Sequence, residues 1–438
     1  MSSSRFLRSS LRSVVVAAAL LAGARTAAAQ TAAPTAVANT CASCHATLTD
    51  PKFSAPPAAF AQQDIHRERG FTCIDCHGGD RTAADKLKAH DAAKGFTGAP
   101  AGQTQVATCA RCHSDTELMR KYAPRQRVDQ AAEYATSVHG KRLAAGDARV
   151  ATCASCHGAH GVRRVNDAKS PVFPTSVAHT CATCHASAGH MAGYTLPNKK
   201  PLPTDQLALY QQSVHYAALT KGNDLSAPTC NDCHGNHGAA PPGAGSVVNV
   251  CGTCHAVFAQ KFSTSVHAQI FDRACVECHS NHAVKKPSDA MLGADANSLC
   301  ATCHSGADDK GVIAAVSMRG DIERLKTALE RSSSTVSALG TAGMEMSAQQ
   351  IAIGTARTRL TLARTELHAF DAARVTPVVQ EGLTTLAGVD TAASTAAAEL
   401  RFRRRGLALS LLAILLVVVA LGFKIRQLER RPHKHLIQ

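Results

Sequence analysis

The sequence predicts a mainly α-helical chain with extensive loops whose interior is filled by something other than side chains, then a helical hairpin and stalk, then one C-terminal transmembrane helix. Three observations predict it. The 438 residues include no Trp and only 4% aromatics, and much of the 45% apolar fraction is Ala, so the large side chains that fill a core are scarce. Eighteen Cys and 22 His recur in one short pattern. The uncharged run Gly406 to Phe423 is 18 residues long. As a helix it measures roughly 27 Å, enough to span a bilayer.

The formal charge of +15 sits at the two ends. Residues 1–29 carry four Arg and no acid, and residues 400–438 carry nine Lys or Arg against Glu429, so the ends hold +4 and +8 and the body only +3. No broad basic face for a phosphate backbone follows, which excludes nucleic acid as a partner. Ser- and Arg-rich residues 2–13, the apolar run 14–24 and Ala27-Ala28-Ala29 read as a secretory signal peptide over 1–29, cleaved near Gln30. The apolar run of eleven residues is too short to span. Residues 406–423 then act as a stop-transfer helix. Arg residues precede it and Lys and Arg follow it, so charge bias hardly orients it. Export of the body places residues 30–405 outside and the basic tail 424–438 in the cytoplasm.

Every cysteine falls in a C-x-x-C-H motif: Cys41/Cys44, Cys73/Cys76, Cys109/Cys112, Cys153/Cys156, Cys181/Cys184, Cys230/Cys233, Cys251/Cys254, Cys275/Cys278 and Cys300/Cys303. The histidines that follow are His45, His77, His113, His157, His185, His234, His255, His279 and His304. Two thiols three residues apart can bond to the two vinyl groups on one edge of a haem, and the adjacent imidazole then reaches the iron from one face. Histidine is 22 of 438 residues, so nine such coincidences are not chance. Zinc ribbons and redox dithiols require no histidine there. Nine covalent haems c are therefore expected, and their macrocycles would replace aromatic side chains as core material.

The chain also repeats itself. Asp129-Gln130, Tyr134 and Ser137-Val138-His139 match Asp205-Gln206, Tyr210 and Ser213-Val214-His215 at identical spacing. Phe262 with Ser265-Val266-His267 is a third, shortened copy. Each precedes a CxxCHxxH motif, with His160, His237 or His282 as its last residue, and then a plain CxxCH. In the first copy His66 precedes Cys73, but Asp80 stands where the extra histidine would be. The haem region, within residues 30–307, is thus one lone motif followed by four doubled ones. An imidazole three residues beyond a proximal ligand lies on that ligand's side of the porphyrin, so His160, His237 and His282 are expected to ligate neighbouring haems. His139, His215 and His267, at the ends of short helical runs, should supply three more sixth ligands. His66 and His90 are further candidates, His90 compensating for Asp80, and His179 or His190 would complete the set. Met119 and Met191, each six residues after a proximal histidine, read as packing residues.

Over residues 41–304 the pattern resembles the multihaem c-type cytochromes with doubled CxxCH motifs. The resemblance implies bis-histidine haems in stacked and perpendicular pairs that form a wire. In placement the chain is also similar to membrane-anchored tetrahaem cytochromes that take electrons from quinol, although those are anchored N-terminally. Residues 308–405 contain no Cys; Ile322, Leu325, Leu329, Val336 and Leu339 keep a helical period, and Gly340–Gly343 reads as a turn. A second helix is expected over about 345–370 and a third from near Pro377 into the membrane, reading as a spacer, with His368 able to reach a haem if the hairpin folds back. The function expected is electron transfer in the cytoplasmic membrane, between a quinol-oxidising partner or the quinol pool and periplasmic redox proteins. The alternative is a reductase of nitrite, hydroxylamine or a sulfur oxyanion, which needs an iron with an open position. Ten non-proximal histidines in the region 41–304 for nine irons argue against one.

Overall fold

The computed structural model describes residues 39–243 and 247–430, so the signal peptide and the last eight residues of the basic tail lie outside the described part. Among the described residues the chain is helices and loops, with no strand beyond an isolated bridge between Thr195 and Pro201. It forms two compact units, Met1–Ser54 with Cys73–Gly98, and Ala55–Thr72 with Ala99–Gln438.

In the first unit the helix Thr40–His45 is tied down by the Thr40 hydroxyl, which donates to the Arg81 and Ala83 carbonyls, both at 2.8 Å. The next motif forms the one-turn helix Cys73–His77. Asp80 accepts from Thr82 and pairs with Lys94 at 2.6 Å, so the residue standing in the extra-histidine position is a loop anchor.

In the second unit the short helices are set by their caps. Ser137, Ser213 and Ser265 are buried, and each hydroxyl accepts from a backbone N–H in the first turn of the next helix, from Gly140, Tyr216 and Ala268 respectively. In Ser-Val-His the serine is therefore the N-cap, and His139, His215 and His267 start helices rather than end them as the sequence suggested. Asp64 caps His66 in the same way. Asp64-Ile65-His66 is thus the first copy of this element. The matched tyrosines hold the loops that follow. The Tyr134 hydroxyl donates to the Ala151 carbonyl and Tyr210 to the Pro228 carbonyl, both at 2.8 Å. Each bond ends just before a threonine, Thr152 or Thr229, that begins a haem-motif helix with a capping box.

Residues 310–429 form three long helices: α1, Lys310–Thr341; α2, Ser347–Glu366; and α3, Ala372–Glu429. Apart from Asp321 on α1, their buried positions alternate by three and four: Ala315, Met318, Ile322, Leu325, Leu329, Ser332, Val336 and Leu339 on α1, and Val375, Val379, Gly382, Leu386, Val389 and Ala393 on α3. That spacing lays one apolar stripe along each helix, as in coiled coils. With Ile353, Ala356, Leu360 and Ala363 of α2 they make the main side-chain core. The expected hairpin and free stalk are therefore a three-helix bundle, because the first half of α3 carries an apolar stripe of its own. The helix α3 starts at Ala372, capped by the Asp371 carboxylate, and not near Pro377, which falls inside it. A Cβ on Gly382 would sit 2.8 Å from the Leu325 side chain. Gly382→Val should accordingly destabilise the bundle by about 1–3 kcal/mol through overpacking. Thermal melting followed by helix circular dichroism would register this as a lower midpoint. Beyond the bundle α3 runs on as a helix long and apolar enough to cross a membrane, and its apolar window is fully exposed.

Candidate functional site

The arrangement that organises the haem region is a set of histidine pairs. In the first unit the His45 and His90 ring centroids lie 6.1 Å apart. In the second, His66 faces His113 at 6.0 Å, His139 faces His185 at 6.1 Å, His157 faces His237 at 6.2 Å and His215 faces His255 at 6.4 Å. His234 faces His282 at 6.1 Å, His267 faces His304 at 6.1 Å and His279 faces His368 at 6.2 Å. Each pair joins one CxxCH histidine to a second histidine from elsewhere in the chain. A ring nitrogen binds a metal at about 2 Å, and the ring centre lies about 1.1 Å beyond it, so two imidazoles on opposite faces of one iron have centroids roughly 6.2 Å apart. The observed pairs match that separation.

Two further features fit a metal-binding role. Ligating histidines are usually held by a hydrogen bond at the other ring nitrogen. Here His45 Nδ1 bonds the Phe53 carbonyl at 3.3 Å, His77 Nδ1 the Gly98 carbonyl at 2.7 Å, and His234 Nδ1 the Ala240 carbonyl at 3.2 Å. His66 Nδ1 meets the Asp64 carboxylate and His304 Nδ1 the Asp309 carboxylate, both at 2.9 Å. In each case Nε2 is left to bind. Burial also pushes the imidazole pKa values of His113, His139, His157, His185, His215, His267, His279, His282 and His368 below the usual value. The neutral form, which carries the lone pair, is favoured.

The pairs obey the repeat. His66, His139, His215 and His267, the capped histidines, each face the second CxxCH histidine of their own doubled motif. His237 and His282 reach back to the first CxxCH histidine of the preceding repeat. His160 holds the corresponding position in its own copy and is half-buried. His90 lies opposite the lone motif's His45, rather than standing in for the histidine that Asp80 replaces. His179 is not a member of these pairs. It is exposed on the helix Pro174–His185, six residues before His185 and so on another face, and among the described residues it meets no proximal histidine. His190 lies near His185, whose ring already faces His139. His368, which the sequence offered only on the condition that the hairpin folds back, lies opposite His279. Met119 and Met191 are buried at 8% exposure, as packing residues are.

None of the 18 thiols forms a disulfide. The first cysteines of consecutive motifs meet within hydrogen-bond reach: Cys41 with Cys73 in the first unit, and Cys109 with Cys153, Cys181 with Cys230 and Cys251 with Cys275 in the second. The second cysteines come close in a different set of neighbours, Cys156 to Cys184, Cys233 to Cys254 and Cys278 to Cys303. Within each unit, the attachment edges of successive motifs therefore adjoin in chain order. The second cysteine of each motif is open to solvent to some degree. Cys44, Cys76, Cys233, Cys254 and Cys303 are exposed, and Cys112, Cys156, Cys184 and Cys278 are half-buried, so protein atoms close over none of the second cysteines. At six motifs the residue after the histidine is small: Ala46, Gly78, Ser114, Ala186, Ala256 and Ser305 follow the motifs of Cys44, Cys76, Cys112, Cys184, Cys254 and Cys303.

These features define a class, the proteins that hold haem through CXXCH sequences. The family model of the doubled CXXCH motif matches residues 267–309, which include the motifs at Cys275 and Cys300. That doubled motif is typical of multihaem c-type cytochromes, and its CXXCH sequences indicate covalently bound haem c. No curated protein and no solved structure matches the chain.

Proposed function

We propose that the chain is a membrane-anchored cytochrome c with nine covalent haems, which passes electrons between a quinone-linked membrane partner and periplasmic redox proteins. Haem supplies one-electron chemistry. The observation that carries the reading is the pairing of eight CxxCH histidines with second imidazoles at 6.0–6.4 Å. Two axial imidazoles leave no position on iron for a substrate, which favours outer-sphere electron transfer over reductase chemistry. His160, by its place in the repeat, is assigned to a neighbouring haem as well. The adjoining cysteine edges support transfer from motif to motif, and the apolar part of α3 supports a single-pass anchor; export through the N-terminal signal segment would put the haem region on the periplasmic side.

The anchor is tested by ending the chain after Ala398, which removes the apolar run and leaves every histidine named above. The shortened protein should be soluble, keep nine haems by intact mass and accept electrons from small dyes at the full rate. Its reduction by membrane quinol should fall about 10–100-fold, because tethering no longer raises its local concentration. Undiminished quinol-driven reduction would show that docking does not depend on the helix.

A further inference from the structure

The repeat-to-repeat pairs have a geometry of their own. His157 with His237 and His234 with His282 have ring planes at 11° and 19°, whereas the other pairs in the haem region cross at 36° to 90°. The last repeat has no successor, so no CxxCHxxH histidine remains to reach back to His279. His368 stands in that place, with its ring at 6.2 Å and 17°. It comes from the bundle, in the turn of helix Leu367–Ala369 between α2 and α3.

The surroundings of His368 are those of a held ligand. Its Nδ1 bonds the Thr365 carbonyl at 3.2 Å, and Phe258 meets the ring edge-on at 4.9 Å. The bundle also meets the last repeat at the place where a repeat junction would fall. Between repeats, Val138 N–H donates to the Ala239 carbonyl and Val214 N–H to the Val284 carbonyl, each acceptor lying two residues beyond the reaching histidine. Two residues beyond His368 is Phe370, which takes a left-handed conformation at φ +53° and places its ring 4.3 Å from His267. Polar links fix the turn on both sides. Arg364 holds the Asp289 carboxylate with two bonds of 2.9 and 2.7 Å, and Glu366 takes Lys261 at 2.5 Å and Arg374 at 3.2 Å.

We propose that His368 is the sixth ligand of the haem bound at Cys275 and Cys278, so that the membrane-anchored bundle closes the haem array in place of a further repeat. The proposal rests on the bis-histidine reading above and adds an axial ligand from outside the CxxCH region. The test is His368→Gly in the full chain, read by intact mass and by low-temperature electron paramagnetic resonance of the oxidised protein. All nine haems should remain attached, one near-parallel low-spin centre should become high-spin, and added imidazole should restore it. If the glycine variant matures with fewer haems, His368→Met is read instead. Its expected signature is one His/Met centre with a raised midpoint potential. His179→Met is the comparison and should change nothing. Unchanged spectra for the His368 variants, alongside a changed spectrum for His237→Met, would overturn the proposal and leave the bis-histidine reading standing. Unchanged spectra for both would overturn the reading itself.

Discussion

Replacing His237 with Met is expected to convert one low-spin centre without detaching any haem. The thioether bonds at Cys153 and Cys156 do not involve His237, so intact mass should still count nine. What changes is the imidazole 6.2 Å from His157. Methionine in its place either ligates the iron, raising that centre's midpoint potential by on the order of 100 mV, or fails to reach it and leaves a high-spin site. A redox titration followed at the haem bands separates the two results. Identical potentials and spectra would mean that His237, with its Nδ1 3.6 Å from the Glu133 carboxylate, is a loop residue only.

Ending the chain after Ala307 should do far more harm than ending it after Ala398. The shorter cut removes His368 from His279, Asp309 from His304, Phe370 from His267, and the ion pairs of Arg364 and Glu366. Asp309 matters twice, since it also caps α1 by accepting from the Gly311 and Val312 N–H groups. Losses of several kcal/mol at about 2–4 °C each should lower the melting midpoint by about 10 °C. A new high-spin signal should accompany the drop. A fragment as stable as the Ala398 truncation, with unchanged spectra, would restore the view of residues 308–405 as a passive spacer.

The sequence made the attachment chemistry legible because it is local: two thiols and an imidazole within five residues need no knowledge of the fold. The histidine pairs are long-range, and those carried by the repeat were the most readable. His237 and His282 were legible because they sit at one fixed offset. Which iron each would face was not, because that depends on how one repeat stacks on the next. His66 was legible as a candidate, but its role was hidden because aspartate replaces serine as the cap. His368 lies in a cysteine-free helical segment 89 residues after His279, where helix periodicity dominates the pattern. It was named only conditionally, and one signal would have strengthened it: a last repeat without a successor needs a donor from beyond residue 304, and His368 is the only histidine there before the membrane helix. In the bundle, the helical period of α1 was legible from its leucines, but the docking of α3 was obscured because its stripe is built from Val, Gly and Ala, with Leu386 the one larger residue.

The central claim is that the paired histidines saturate their irons, and low-temperature electron paramagnetic resonance of the oxidised full-length protein tests it most directly. The account predicts low-spin iron at the eight paired sites and two kinds of signal. Rhombic spectra should come from the near-parallel pairs at 11°, 17° and 19°, and the large-gmax type from the steep pairs such as His66 with His113 at 90°. High-spin ferric iron integrating to more than one centre per chain would contradict it.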